Sequence, residues 1–322
     1  MKQQQPPTTD LSTQTVLLFG ELLVDCFPDR EVMGGAPFNV ARHLLGLGIG
    51  IGLDPVLVTR IGKDELGQHL LETIQAIGLA IDGVQQDSLH PTGQVRITLD
   101  GGAGGHRFEI APGQAWDFIH ANMARLVGLL RRPQWVYFGT LAQRGASRRA
   151  VRTLLRTTHA RAFLDINLRD PWVRKDVLRW SLGKAEIVKM NEEELRRIAD
   201  MLGLGSGASS ALGERLIHIF GIRQLLVTQG EKGAWLQNGD GSYFHTGAAK
   251  PIIDPLDSVG AGDAFSAVFL LGLTQNWPVE QTLERAHRFA GEVCRLRGAI
   301  PDSDDFYQPF IAEWQLAREN AA

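Results

Sequence analysis

The 322-residue chain has little cysteine, and its two cysteines, Cys26 and Cys294, lie far apart and outside any spacing typical of metal ligands. A disulfide framework or a zinc site is therefore not expected, and this cysteine content is typical of a reducing compartment. The chain also lacks an apolar run of the roughly eighteen residues that span a membrane. Residues 1–15 are polar and contain no apolar core of a signal peptide. These absences predict a cytoplasmic protein with no membrane partner and a disordered leader over residues 1–14.

An excess of one charge sign is missing as well. The 33 Lys and Arg residues nearly balance the 36 Asp and Glu residues, which gives a formal net charge of −3 at pH 7. The basic residues are scattered along the sequence rather than grouped in blocks, so a surface for nucleic acid or anionic lipid is not expected. A small-molecule partner fits this charge balance better.

A third absence concerns dinucleotide binding. No Gly-x-Gly-x-x-Gly turn follows the first predicted strand, and the glycine-rich region 46–52 follows a helix instead. Because an NAD-binding fold places this turn directly after its first strand, an NAD-dependent enzyme is not expected.

What the chain does contain is a regular alternation of short apolar runs and amphipathic segments. The runs predict strands at 16–20, 56–62, 135–139, 161–167, 186–191 and 224–230, and helical spacing occurs at 39–48, 65–78, 148–160 and 191–202. This alternation is typical of an α/β protein whose parallel sheet is covered on both faces. Ligands bind beyond the carboxyl ends of such strands. Asn167, Asn191 and Thr228, which follow or end three of the runs, are therefore candidate site residues, and the glycine- and serine-rich stretch 203–213 is expected to be a connecting loop.

Two segments break the alternation, at about 22–36 and 92–113. The second of them predicts a hairpin around a glycine-rich turn, and both have an antiparallel character. A small sheet of this kind has two interpretations. It is either a lid that closes over substrate and excludes water, or a decoration of the surface.

The stretch Asp-Ser-Val-Gly-Ala-Gly-Asp at 257–263 runs directly into an apolar helical segment. The small residues Gly260, Ala261 and Gly262 allow backbone N–H groups to point into one concavity, and the positive end of the helix favours an anion there. We expect the same field to keep Asp263 ionised as a weak base, which suffices for phosphoryl transfer. The alternative is that Asp263 only stabilises the first turn of the helix, by about 0.3–1 kcal/mol.

A second group of candidates lies near the N-terminus. Gly35 permits close approach of the backbone, Asn39 heads a predicted helix, and Asp25 is a carboxylate in an apolar run. These residues are suited to contact a hydroxylated ligand. Taken singly, Asp25 is equally explained as a turn residue and Asn39 as a helix cap.

Taken together, these motifs resemble the ribokinase-like, or PfkB, family of carbohydrate kinases. The resemblance extends over nearly the whole chain and rests on Gly-x-x-x-x-Asp at 20–25, GGAPFN at 34–39, DINLR at 165–169, KMNEEE at 189–194, VTQGEKG at 227–233, DSVGAGD and RGAIP at 297–301. It implies a doubly wound, mostly parallel α/β domain over residues 15–318 with a small β-sheet lid. It also implies an ATP-dependent kinase that phosphorylates a sugar hydroxyl.

The resemblance assigns roles residue by residue. Asp263 matches the catalytic base, and the backbone of 260–262 matches the anion hole. Asn191 and Glu194 match an Asn-x-x-Glu motif near the phosphates and Mg²⁺, with Glu194 acting through water. The positions that match the nucleotide site are Asn191, Thr228, Gly230 and Gly233.

The sugar site follows from the same comparison. Its expected contacts are Asp25, Gly35, Asn39, Phe108, Asn167 and Arg169. The resemblance to bacterial fructokinases predicts fructose as the substrate, and 2-keto-3-deoxygluconate is the alternative, with Arg169 or Arg107 meeting its carboxylate. A non-catalytic sensor of sugar or nucleotide is an alternative of a different class.

Two further expectations come from the family. A K⁺ site would involve Asp257, the carbonyl group of Val259 and the loop around Gly298. This chain has Ser-Val where many relatives have two threonines, so dependence on K⁺ stays open. A strand of the lid can serve as a dimer interface in this family, so a homodimer is a further hypothesis.

Overall fold

The computed structural model describes residues 13–48, 50–99, 106–247 and 258–316. The strands, in chain order, are β1 (Gln14–Phe19), β2 (Leu23–Cys26), β3 (Glu31–Gly34), β4 (Leu53–Gly62), β5 (Val84–Asp87), β6 (Gly93–Leu99), β7 (His106–Ile110), β8 (Trp135–Gly139), β9 (Arg161–Asp165), β10 (Ile187–Asn191), β11 (Gln224–Thr228), β12 (Ala234–Asn238) and β13 (Tyr243–Thr246). The helices are α1 (Ala36–Gly48), α2 (Glu65–Ala76), α3 (Ala121–Arg131), α4 (Ser147–Thr158), α5 (Lys175–Leu182), α6 (Glu192–Leu202), α7 (Ser209–Phe220), α8 (Ala261–Thr274), α9 (Val279–Val293) and α10 (Gln308–Trp314).

Nine strands form the main sheet in the order β13-β12-β11-β10-β9-β8-β1-β4-β5. In this order, each pair of neighbours from β11 through β10, β9, β8, β1 and β4 to β5 is parallel. Strands β12 and β13 add an antiparallel edge next to β11. Consecutive side chains of a strand point to opposite faces of the sheet. In β1, Leu17 and Phe19 pack into one apolar cluster, whereas Val16 and Leu18 pack into the other. The sheet is thus covered on both faces, which confirms the predicted doubly wound α/β class.

The helices divide between the two faces. Helices α1, α8 and α9 contribute to the cluster that contains Val16, and α8 contacts both of the others. Helices α3 to α7 contribute to the cluster that contains Leu17. Helix α8 is apolar nearly all around and is buried along most of its length, as expected for a helix in the core. This burial fixes the position of its N-terminus, where the candidate base lies.

A second sheet of four strands, in the order β3-β2-β6-β7, is formed by the two segments that break the alternation. The pairs β2–β3 and β6–β7 are antiparallel as predicted, but β2 and β6 join them as a parallel pair. Two strands distant in sequence therefore meet at the centre of this small sheet. Residues 100–105, which hold most of the predicted glycine-rich turn, lie outside the described ranges.

Two predicted boundaries are wrong. The 203–213 stretch is only half a loop, because α7 begins at Ser209 and its residues Leu212 and Gly213 are buried. The predicted leader extends one residue too far, since Gln14 already belongs to β1; residues 1–12 lie outside the described ranges. None of the helices in those ranges combines the length and the apolar character that crossing a bilayer requires.

Candidate active site

A cavity of about 470 Å³ lies between the main sheet and the small sheet. Three parallel strands end at it, in Asp165 (β9), Asn191 (β10) and Thr228 (β11). Leu23 of β2 and Val95 of β6, the central strands of the small sheet, line the opposite side. The cavity therefore occupies the place that a parallel sheet offers to ligands, and the small sheet lies on its opposite side.

The N-terminus of α8 forms one wall of the cavity. Gly260 precedes the helix with φ +83, and a Cβ atom there would collide with Ala299. Its carbonyl group accepts the N–H of Ala264 at 2.8 Å, which closes the first helical turn. The first N–H groups of a helix have no intrahelical acceptor, so this end of α8 is suited to an anion. The Ala261 N–H donates to the Ser258 carbonyl oxygen at 3.4 Å. Gly260 and Gly262 line the cavity, as the anion-hole prediction requires.

Asp263 lies in this first turn and its carboxylate faces the cavity. The side-chain amide of Asn39 donates a hydrogen bond to its Oδ2 atom at 2.8 Å. Burial, followed by the charge of Asp165, raises the pKa of Asp263 to about 6, against opposing effects of Asn39, Lys189 and Arg169. Burial, which the sequence reasoning did not consider, is therefore the largest influence on this pKa. The carboxylate remains mostly deprotonated at pH 7 and is a better proton acceptor than an unperturbed aspartate.

Asn39 has a role in addition to the predicted sugar contact. Its side-chain amide nitrogen donates to Asp263. Its Oδ1 atom is buried and has no hydrogen-bond donor among the described residues. A buried acceptor of this kind is satisfied when a ligand hydroxyl donates to it. Asn39 therefore has one atom that orients the base and one that is free to receive substrate.

An ion pair beneath the α8 N-terminus was missed by the sequence reasoning. Lys189 Nζ lies 3.0 Å from both carboxylate oxygens of Asp165, and the two residues are register partners on β10 and β9. Ser266 and Tyr137 also donate to Asp165, at 2.6 and 3.2 Å. The signal was that Asp165 and Lys189 each follow buried apolar residues of a strand, but their pairing depends on strand order.

Glu21 is a second missed residue. It lines the cavity, only 5% of its surface is exposed, and burial raises its pKa to about 7. The carbonyl oxygen of Glu21 also occupies the space that a Cβ atom at Gly35 would need, and Gly35 has φ +109. The glycine at 35 is thus required by close approach, as predicted, and the approaching group is the backbone of Glu21.

Asn191 and Glu194 form a capping box at the start of α6. The Glu194 N–H donates to Asn191 Oδ1 at 2.8 Å, and the Asn191 N–H donates to Glu194 Oε2 at 2.9 Å. The other oxygen of Glu194 accepts the N–H of Leu168 at 2.7 Å. Burial raises the pKa of Glu194. The structural and functional interpretations of this motif coexist, because both residues also line the cavity.

These residues fit a magnesium ion that is held mainly by phosphate. Mg²⁺ in such sites keeps several waters and takes one or two carboxylates plus phosphate oxygens. Within the described residues no group of three or more His, Cys, Asp or Glu side chains could hold a metal alone. The oxygens of Glu194 already accept backbone N–H groups, so contact through water suits this carboxylate better than direct ligation.

The cavity brings together most of the predicted residues. Those that line it are Asp25, Gly35, Asn39, Asn167, Arg169, Asn191, Glu194, Thr228, Gly260, Gly262 and Asp263. Gly230 and Gly233 lie in the turn after β11, and Ala261 begins α8, all outside the lining. Phe108 of β7 pairs with Ile97 of β6, but only the backbone of Phe108 belongs to the described structure. Asp257, the predicted K⁺ ligand, lies outside the described residues.

A half-buried carboxylate at a helix N-terminus, facing a cavity that an Asn-x-x-Glu cap also lines, is the arrangement of a site that transfers phosphoryl groups to a hydroxyl. Residues 8–305 match the model of the pfkB family of carbohydrate kinases. The chain belongs to this family, and the predictions of the family and of a carbohydrate kinase are confirmed.

Individual relatives agree with this assignment. A fructokinase of Escherichia coli is 27% identical over 310 residues, which cover 88% of this chain and 94% of that protein. The crystal structure of a Xylella fastidiosa fructokinase with bound ATP has a TM-score of 0.79 at 22% identity and covers 94% of this chain and 99% of that one. A Vibrio cholerae fructokinase with fructose, ADP and calcium bound has a TM-score of 0.72 at 25% identity, covering 92% and 99%.

Proposed function

We propose that this carbohydrate kinase transfers the γ-phosphoryl group of Mg-ATP to a hydroxyl of fructose. The observation that carries the proposal is the half-buried carboxylate of Asp263, which is oriented by Asn39 and lies at the N-terminus of α8 in a polar cavity. Relatives that are fructokinases support the choice of sugar, among them one that binds fructose and ADP.

Asp263 would accept the proton of the attacking hydroxyl. Its pKa of about 6 makes it deprotonated at neutral pH without making it inert as a base. Phosphoryl transfer has a loose transition state, so the hydroxyl loses its proton late and a strong base is not needed. The Asn39 hydrogen bond holds the carboxylate in one orientation for this step.

The N–H groups at 260–262 would stabilise negative charge on the transferred group. They lie at the positive end of α8, where an anion is favoured. The Nζ atom of Lys189 lies close beneath them, 3.4 Å from the place of a Cβ atom at Gly262, and is paired with Asp165. Asn191 and Glu194 would hold the magnesium ion through water, and the ion would neutralise charge on the phosphates.

The sugar would bind between the main sheet and the small sheet. Asp25 of β2 and Asn167 of the loop after β9 line that part of the cavity, and Asn39 Oδ1 offers an unused acceptor. Asn167 adopts φ +44, a left-handed conformation that Asn tolerates better than most residues. Closure of the small sheet over this region would exclude water, which otherwise competes as a phosphoryl acceptor.

A second substrate, 2-keto-3-deoxygluconate, is favoured by one observation. Arg169 lines the cavity, although part of it donates to the neighbouring Leu168 carbonyl group at 3.1 Å. A guanidinium in a sugar site is suited to a substrate carboxylate. If the acid sugar is the substrate, Arg169→Gln should raise its KM far more than it raises the KM of a neutral ketose.

An ADP-release assay with Mg-ATP tests both candidates. The panel is fructose, 2-keto-3-deoxygluconate, ribose, tagatose and adenosine, each with and without K⁺. We expect the highest kcat/KM with fructose, and Asp263→Asn is the inactive control. A preference for the keto acid would replace fructose in the proposal, and nucleotide binding without turnover on any sugar would favour the sensor.

A further inference from the structure

A strongly basic cavity lies between α4 and α5. Its volume is about 820 Å³, and five cationic side chains line it: Arg148, Arg149, Arg152, Arg156 and Lys184. Three of the arginines are spaced by four residues on α4, so they share one face of the helix. We call this the arginine cavity. It shares no lining residue with the candidate active site.

The positive charge of the arginine cavity is not balanced by the chain itself. Asp176 pairs with Arg148 at 2.6 Å. Within the described residues, the other four cations of the cavity form no ion pair. Burial, followed by repulsion from Arg148, lowers the pKa of Arg152, against the attraction of Asp176. The fold therefore groups at this cavity basic residues that the sequence analysis described as scattered.

The guanidinium of Arg152 is held in a fixed orientation. It lies over the ring of Trp180 at 4.7 Å from the centroid, which restricts its plane. The Nε atoms of Arg152 and Arg148 are buried, and neither has a hydrogen-bond acceptor among the described residues. Solvated arginines on an ordinary helix face keep their donors in water, so these two are unlike such arginines.

We propose that the arginine cavity binds a small anion that carries at least two phosphate groups. Arginine forks match phosphate oxygens in pairs, and buried donors without acceptors would gain them from such a ligand. The volume lies in the range of sites for small molecules. Because the cations converge on one concavity instead of forming an extended surface, a compact ligand fits better than an anionic membrane or RNA.

Inorganic pyrophosphate is the probe for this site. Its binding to the full chain is measured by isothermal titration calorimetry without Mg²⁺, which leaves the candidate active site without its metal. Arg152→Gln/Arg156→Gln should bind one equivalent fewer than the wild type, or bind that equivalent at least about tenfold more weakly, because each charge-assisted hydrogen bond is typically worth such a factor. Lys184→Gln, at an exposed position where folding is not at risk, should weaken binding in the same direction.

Arg125→Gln/Arg132→Gln on and just after α3 is the matched control, since it removes the same charge outside the cavity. Unchanged pyrophosphate binding in this control, with loss in the cavity variants, supports the proposal. Equal binding by wild type and all variants would overturn it, and so would an equal loss in the control, which would indicate only net charge. Tighter binding of anionic vesicles or of a homopolymeric RNA, in competition with pyrophosphate, would also overturn it in favour of a macromolecule.

Discussion

Asp263 is the residue on which the proposed chemistry depends most directly. Replacement by Asn keeps its shape and its contact with Asn39 but removes the proton acceptor. We expect kcat to fall by about 10²–10⁴-fold, the usual contribution of a positioned acid or base. The substitution is compared with Asp302→Asn, at an exposed position, in steady-state assays. A kcat near that of the wild type would show that another group accepts the proton.

The same substitution should not destabilise the fold at neutral pH. The folded pKa of Asp263, about 6, lies above its ordinary value of 3.8. Stability from such a group is complete below the lower value and is lost as the pH rises through the upper one. At pH 7.5 the charge of Asp263 therefore lowers stability, and Asn removes that charge. Denaturant unfolding should give an unchanged or higher free energy of unfolding.

Each member of the ion pair beneath Asp263 should shift the acid limb of the pH–rate profile. For the wild type, kcat/KM should rise with pH, with its midpoint near the pKa of about 6 at which Asp263 loses its proton. Asp165 raises this pKa and Lys189 lowers it. Asp165→Asn should therefore move the limb to lower pH, and Lys189→Met should move it to higher pH. A limb that does not move in either variant would mean that another group titrates there.

At this scale, the sequence predicted types of residue better than their partners. Asp263 and Asn39 were both assigned to the site from their motifs, yet 224 residues separate them and their hydrogen bond was not foreseen. The pairing of Asp165 with Lys189 depends on β9 and β10 being neighbours in register. Such contacts arise from the packing of elements, which local sequence pattern does not contain.

At the scale of elements, the turn into α8 makes a specific demand on Gly260. Ala at this position would have to adopt φ +83 and would collide with Ala299. We expect Gly260→Ala to lower the free energy of unfolding by roughly 2–4 kcal/mol, from the left-handed conformation and the overpacking combined. It should also lower kcat, since the N–H groups of the first turn would shift.

Gly241→Ala is the matched control for this prediction. Gly241 also has a positive φ, of +89, but nothing lies within 4 Å of a Cβ atom placed there. It carries the conformational cost alone, about 1–2 kcal/mol. Equal losses in the two variants, measured by denaturant unfolding, would contradict the collision with Ala299.

The strands and most helices were predictable because their patterns are strong and local. Buried parallel strands are continuous apolar runs, and all six predicted runs overlap strands of the main sheet. The start of α7 was missed because glycine and serine weaken its helical pattern, while burial of Leu212 and Gly213 against the sheet stabilises the helix. The parallel pair β2–β6 joins segments about seventy residues apart, from Leu23 to Gly93, so no local signal could reveal it.

At the scale of the whole molecule, His43 connects the first helix to the C-terminal segment. Its ring nitrogens lie 3.1 Å from the hydroxyl oxygen of Tyr307 and 3.0 Å from the carbonyl oxygen of Ala299, which itself packs on Gly260. The ring is fully buried, and this burial lowers its pKa from 6.5 to about 3. A neutral His43 is therefore part of the packing that positions both α1 and the N-terminus of α8.

This burial should make the protein sensitive to mild acid. Between pH 6.5 and 3 the unfolded chain binds a proton at His43 that the folded protein does not, so stability falls as the pH falls. The raised pKa values of Glu21 and Asp263 act in the opposite direction over part of this range. The contribution of His43 is therefore measured as the difference in the free energy of unfolding between wild type and His43→Gln.

Relative to His43→Gln, the wild type should lose about 1.4 kcal/mol for each pH unit from 6 to 4.5, the full linkage of one proton. Urea unfolding at three pH values in this range gives the slope. His69→Gln, at an exposed position on α2, is the control for loss of a histidine. Equal slopes of the free energy of unfolding against pH in wild type and His43→Gln would contradict this prediction. They would show that the folded protein also protonates the ring, and that the contact between α1 and the C-terminal segment opens in mild acid.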